Sequence, residues 1–354
     1  MEYNLGRVDD ILAAFNTIQE KQEKANDELS SLSAIFSTLS IKSVNQVGDL
    51  RTQAYIFSSD MGWLGVWDVA AGNYTGFIHI GPSATGEVSV DRKSGNIFLL
   101  GENGNKIFII DPYLCGVTVS LPFQSVGSFA VSPGGKSVFI SQNNSSILAE
   151  VDASTGKTLR NYTLPGTALH LVVYPEAYLV YFSIAGTRAV YSVQHLSGEV
   201  LKVFDLPDDA VRMAPYQFGN DFGLQVLSGS GSTAAVTKWD RTTNTTSTVQ
   251  VADAVEIVVN PYTGSYYVAS LQNVLFMSLD GAIIKTVALG DKASRLTLTA
   301  DGVHLIAIVS PGNNALIVDT VTGVVSTGPT AVYPPTQQSA KLLLAQTQFG
   351  FVSS

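Results

Sequence analysis

Residues 128 to 166 read SFAVSPGGKSVFISQNNSSILAEVDASTGKTLRNYTLPG. Apolar residues alternate with a period of two through four short runs. A turn signal follows each of the first three: Pro-Gly-Gly, then Asn-Asn-Ser-Ser, then the Ser-Thr-Gly after Asp152. A strand sends successive side chains to opposite faces, and Gly and Asn supply the backbone angles of tight reversals. Four strands in about forty residues make one propeller blade.

The same punctuation recurs along the chain. An Asp closes the third run at Asp68, Asp111, Asp152, Asp240, Asp280 and Asp319, at spacings of 43, 41, 88, 40 and 39 residues. The interval of 88 holds two units, because Gln194 in YSVQHLSG occupies the Asp slot 42 residues after Asp152. Seven units therefore fill residues 45–327, and the expected fold is all-β, a seven-bladed propeller of four-stranded blades. The repeated Asp reads as a turn former whose carboxylate accepts backbone N–H groups while the following Gly takes a positive φ. An open ring would leave unpaired edges between its first and last blades. Residues 328–354, PTAVYPPTQQS and then KLLLAQTQFGFV, are accordingly read as a linker and a closing strand, with residues 341 to 352 pairing with the blade that holds residues 55 to 80.

The Asp-x-x-x-Gly turn and the Ser-Pro-x-Gly-Lys turn together resemble the YVTN-type propeller repeat, a relative of NHL and WD40 repeats found in surface and binding proteins. The resemblance covers residues 45 to 327. It is strongest around Asp152, moderate around Asp319 and Asp111, and weak around Gln194 and Asp240. It implies a fold and a binding role, since that family has no single shared catalytic motif.

Ahead of the repeats, residues 1–44 carry a heptad seam, with Val8, Phe15, Gln22, Leu29 and Phe36 at a and Ile11, Ile18, Ala25, Leu32 and Leu39 at d. The flanks carry Glu20, Glu23, Lys24, Asn26 and Asp27. A lone amphipathic helix cannot bury such a stripe, so the segment is expected to self-associate as a coiled coil or to pack on its own head domain. Leu and Phe at a, with Ile at two d sites, lean towards a trimer, and Gln22 reads as a register-setting polar layer.

Lys and Arg number 20 against 29 Asp and Glu, a net charge of −9, so no basic field recruits nucleic acid or an anionic membrane. Charged residues are only 14%, mean hydropathy is +0.22, and no apolar run is long enough to insert in a bilayer. The one cysteine, Cys115, excludes an intrachain disulfide and a multi-cysteine zinc site, and reads as a small buried hydrophobe. The amino terminus shows no secretory signal.

Catalytic motifs are scarce, and no catalytic residue, metal ligand or cofactor is expected. His79, His170, His195 and His304 fall in different blades without metal-ligand spacing. SSDMGW, with Ser58, Asp60, Gly62 and Trp63, echoes part of the Asp-box of sialidase propellers, once and imperfectly, between the second and third strands of its unit. Arg51, Arg92, Arg160, Arg188, Arg212, Arg241 and Arg295 fall mostly one per unit, so some could meet in the central channel. Five sequons begin at Asn73, Asn143, Asn144, Asn161 and Asn244. Tyr216, Phe218 and Asp221, beside Phe222 and Trp239, mix aromatic bulk with polar edges and are the candidate receptor contacts.

The expected protein is a non-enzymatic attachment component that carries propeller heads on an oligomeric helical stalk, a virion spike, tail fibre or surface adhesin. Its expected partners are copies of itself, other virion or surface structural proteins held through the helix, and a host surface glycan or protein. An intracellular scaffold and a propeller glycan hydrolase are the alternatives; the hydrolase predicts arginines or carboxylates converging in the channel.

Overall fold

The computed structural model describes residues 21–22, 53–58, 62–80, 87–91, 94–111, 116–174, 179–218, 221–260, 262–299, 301–310, 314–329 and 342–345, the side chains of 58, 221 and 342–345 apart. The chain divides into two compact units, residues 1–48 and 49–354. In the first, Lys21 and Gln22 have helical backbone and are exposed; the other nine seam positions lie outside the described residues.

The second unit is a propeller of seven four-stranded antiparallel sheets. Blade one contains β1 (Gln53–Ser58), β2 (Trp63–Asp68) and β3 (Asn73–His79). Blade two is β4 (Val88–Val90), β5 (Ile97–Gly101), β6 (Lys106–Asp111) and β7 (Gly116–Pro122). Blade three is β8 (Val126–Val131), β9 (Ser137–Gln142), β10 (Ile147–Asp152) and β11 (Thr158–Thr163), and blade four is β12 (Ala168–Tyr174), β13 (Leu179–Ile184), β14 (Ala189–Gln194) and β15 (Val200–Asp205). Blade five is β16 (Ala210–Phe218), β17 (Asp221–Ser228), β18 (Ala235–Asp240) and β19 (Thr245–Gln250), and blade six is β20 (Ala254–Val259), β21 (Tyr266–Ser270), β22 (Asn273–Met277) and β23 (Ile283–Ala288). Blade seven is β24 (Lys292–Leu298), β25 (His304–Ser310), β26 (Asn314–Asp319) and β27 (Val325–Thr327).

The last strand, β28 (Leu342–Ala345), returns to blade one and pairs antiparallel with β1, Tyr55 opposite Ala345 and Ser58 opposite Leu342. It supplies the innermost strand that β1 to β3 lack. The inner strands β28, β4, β8, β12, β16, β20 and β24 then contact one another in a closed ring, which leaves no open sheet edge between the first and last blades.

The core is divided among the spaces between successive blades. Among the described residues there is one apolar cluster for each of the seven neighbouring pairs. Middle strands are buried on both faces. In β13, Val180 and Phe182 face blade three while Tyr181 faces blade five. Outer strands such as β19, TTSTVQ, are almost wholly exposed, which is why the chain reads as greasy runs spaced by hydroxyl-rich ones. Phe182 is fully buried, and its truncation to Ala would cost about 3–5 kcal/mol.

The repeated Asp turns occupy the ends of the third strands. The carboxylate of Asp152 accepts from the N–H groups of Ser154 and Thr155, 3.0 and 2.8 Å, and from both hydroxyls. These donors, the Ser154 and Thr155 hydroxyls foremost, push its pKa down to about 2. Asp68, Asp240 and Asp319 accept from the two N–H groups at the same offsets. Gly72, Gly156 and Gly323, at φ of +68°, +71° and +74°, close three of these turns by donating to the Asp carbonyl. Gln194 keeps this backbone turn and accepts from Ser197 Oγ instead. Asp280 differs from the expected role: β22 stops at Met277, so the hydroxyl of Ser278 caps the turn at Ala282 N–H, and Asp280 points out towards Lys238, 3.8 Å away. The turn that follows Asp111 lies outside the described residues.

Candidate functional site

Five of the inner strands carry an irregularity at the same level. The pairing slips at Gly127 in β8, across His170 and Leu171 in β12, at Val211 in β16, at Val255 in β20 and at Ser294 in β24. A bulge adds a residue to one strand and re-aims the side chains beside it. Here it brings Ser128, His170, Arg212, Glu256 and Arg295 to the wall of a cavity of about 920 Å³ in the middle of the ring. Glu87, just ahead of β4, joins them from blade two. His170 itself sits at φ +50°, a left-handed conformation uncommon for a side-chain-bearing residue.

These groups form a polar belt that passes from blade to blade. Glu87 accepts from Phe129 N–H at 3.1 Å and is hydrogen-bonded to Ser128. Ser128 Oγ accepts from Leu171 N–H at 3.2 Å. The His170 imidazole bonds the backbone of Ala210. Arg212 Nε lies 3.0 and 3.1 Å from the two oxygens of Glu256, and Arg295 Nη1 approaches the same carboxylate at 3.5 Å. Glu256 is thus shared by two arginines.

Burial sets the protonation of the belt. It pushes Glu87 up to about 7, against the opposing pull of the Phe129 and Ser128 hydrogen bonds and the more distant Arg212 and Arg295. It pushes His170 down to about 4, helped by the charge of Arg212, so this imidazole is neutral at pH 7. It also pushes Glu256 up, and there the two guanidinium groups oppose it. Arg212 and Arg295 keep 30% and 34% of their side-chain surface exposed. At the other end of the cavity the carboxylate of Asp91 is taken up by Ser94 and by the N–H of Gly134, 3.0 Å away.

The other singled-out residues fall elsewhere. Tyr216 is buried between blades five and six, its hydroxyl bonding the Trp239 carbonyl at 3.3 Å, so it is withdrawn from any partner. β16 runs on through Pro215, which carries Tyr216 into the core. Phe218 is exposed beside the hairpin and the Asp221 side chain lies outside the described residues. Phe222 is partly buried, stacked under Arg241 and beside Tyr174. Arg160 reaches across the rim to the carbonyls of His195 and Leu196, and Arg188 approaches Asp208. Two arginines, not three, therefore meet in the channel among the described residues, and Arg51 and Arg92 lie outside them. His195 lies 2.9 Å from the buried Glu150, which also accepts from Ser137 Oγ and Tyr162 O–H and so clasps blades three and four. His79 packs on Trp63, and His304 opens β25. Asn73, Asn143, Asn144, Asn161 and Asn244 are all exposed. Cys115 lies outside the described residues, among which no cluster of metal-ligating side chains occurs. No described helix is long and apolar enough to cross a membrane.

No protein-family model matches the chain, and no curated protein matches it. Solved structures share its fold. Dihydro-haem d1 dehydrogenase NirN, in complex with DHE, superposes with a TM-score of 0.62 at 10% identity over 79% of this chain and 73% of that one. Kuenenia stuttgartiensis hydrazine synthase gives 0.64 at 11% identity over 76% of this chain and 93% of its own. At this identity the likeness is one of fold alone.

Proposed function

We propose that this chain is a non-enzymatic attachment protein whose propeller head, built of YVTN-type repeats, binds a host surface glycan or protein at its channel mouth. The residues of the heptad seam form an oligomeric stalk, trimeric by its a and d pattern, which anchors the head to a virion spike, a tail fibre or another surface assembly. A linked set of weak sites gains avidity of about 10² to 10⁴ without any new contact. The observation that supports this reading is the bulge repeated in five inner strands, which gathers a mixed set of polar side chains into one cavity while the outer repeats keep only turn chemistry.

The hydrolase is the second reading, favoured by the meeting of Glu87, Glu256 and two arginines in that cavity. Glycoside cleavage generally uses two carboxyl groups, one of them as general acid. Incubating the full chain with a glycan array and with intact host cells separates the two. Saturable binding that leaves the glycans uncut supports attachment, release of free sugar overturns it in favour of hydrolysis, and capture of cytosolic proteins alone would move the chain to the scaffold class.

A further inference from the structure

The belt presents two cations around one anion. Glu256 is buried and engages Arg212 through Nε, and the Nη1 of that guanidinium donates to the carbonyl of Val211, 2.9 Å away. Arg295 approaches the same carboxylate through Nη1, which also donates to the Ser294 carbonyl at 3.4 Å. Among the described residues no acceptor meets Nη2 of either side chain, and both keep about a third of their surface open. A guanidinium presents its donors in a planar fork that matches a carboxylate. The same cavity is lined by two exposed amides, Asn103 and Asn143, and by Phe129 and Leu171 among its apolar residues.

We propose that Arg212 and Arg295 form a carboxylate-binding subsite for the terminal acidic sugar of a glycan, with Asn103 and Asn143 of the same cavity placed for its hydroxyls. This rests on the attachment reading and narrows it. The cavity lies inside a ring of strands, so its occupant is a compact chain end, not a folded protein face. Amide partners in a cavity with a single cationic pair suit a polyhydroxylated acid better than a peptide end, which would offer backbone amides to a strand edge that the closed ring lacks. Glu87 bears on the affinity. It faces Ser128 and Phe129 N–H from β8 and the charges of Arg212 from β16 and Arg295 from β24, and His170 from β12, held neutral, adds no charge. When Glu87 is protonated, the two arginines and Glu256 leave one net positive charge at this end of the cavity.

The test is an NMR titration of the full chain with D-glucuronate and with D-glucose at pH 5.5. Glucuronate is expected to bind at least about tenfold more tightly. Arg295→Gln is expected to bring the glucuronate affinity down to about that of glucose. Glu256→Gln, which removes the competing negative charge and keeps the side-chain shape, is expected to tighten glucuronate binding. Opposite signs from two neighbouring substitutions exclude a general loss of fold. Equal affinity for the two sugars, indifference to Arg295→Gln, or tighter binding of N-acetylglycine as a peptide-end probe would overturn the subsite. If cells and array glycans bind without preference for acids, the subsite falls and attachment stands. If glucuronate binds as expected but no array glycan or cell surface does, the subsite is supported and attachment falls.

Discussion

The rim and the hub of this propeller are built on opposite rules. On the rim the same residue recurs at the same place. Asp68, Asp152, Asp240 and Asp319 all accept from the N–H groups two and three residues on, in turns closed by their own local residues. At the hub the same place recurs with different residues. Glu87, Ser128, His170, Arg212, Glu256 and Arg295 line one cavity from six successive blades, and they are of four kinds: acid, hydroxyl, imidazole and guanidinium. Sameness marks the scaffold, because every blade must turn the same corner. Difference marks chemistry, because a ligand is recognised by an uneven set of groups.

Removing residues 342 to 354 breaks the hub most severely. Blade one loses its inner strand and β1 is left as an open edge in the middle of the ring. The expected loss approaches the whole stability of a domain, about 5–15 kcal/mol, seen as disappearance of the cooperative thermal transition in near-ultraviolet dichroism. Next comes Glu256→Ala, which leaves Arg212 and Arg295 facing each other without their shared carboxylate. Loss of one member of a buried ion pair costs about 3–5 kcal/mol. Asp152→Ala on the rim, where water replaces the lost acceptor, is expected to lower the denaturation midpoint by clearly less. Equal losses would erase the distinction between the two regions.

A subtler contrast lies in the pH dependence of stability. Glu87 has a folded-state pKa of about 7 against 4.5 for the free side chain, so the folded chain binds the extra proton and stability falls as pH rises through 4.5 to 7. His170 has its pKa lowered to about 4 from 6.5, so the unfolded chain binds the extra proton and stability rises with pH through 4 to 6.5. The two slopes oppose each other and nearly cancel between pH 4.5 and 6.5. Relative to the parent chain, stability in denaturant titrations across that window is expected to rise with pH for Glu87→Gln and to fall with pH for His170→Gln. Each variant's change is on the order of 2–3 kcal/mol at one pKa unit per 1.4 kcal/mol. Variants whose slopes move the same way from the parent's would contradict the assignment.

The rim was legible in the sequence because its determinants are local. An Asp and a Gly four positions apart, with a period-two run before them, specify a turn with no knowledge of the neighbouring blade, and the unit length follows from counting. The hub was legible only in part. Arg212 and Arg295 could be marked as one per unit, but their meeting at Glu256 depends on ring closure and on a bulge. A single extra residue in a short strand leaves no trace in the alternation. Glu87, preceding a strand of only three residues, carried no signal at all. Tyr216 misled in the other direction. A Pro before it and glycines after it suggest a loop, whereas β16 extends nine residues and carries the ring into the core. The exposed Phe218 at the hairpin end shows where that strand does reach solvent.

The most direct test of the hub as the place of recognition uses the histidines as reporters. His170 lines the cavity, whereas His195 is held by Glu150 at a rim clasp. In a spectrum of imidazole carbon-13 resonances recorded during glucuronate addition, the His170 signal is expected to shift saturably with the binding curve while His195 stays in place. Saturable binding that leaves His170 unmoved would put the ligand elsewhere on the molecule and contradict the account.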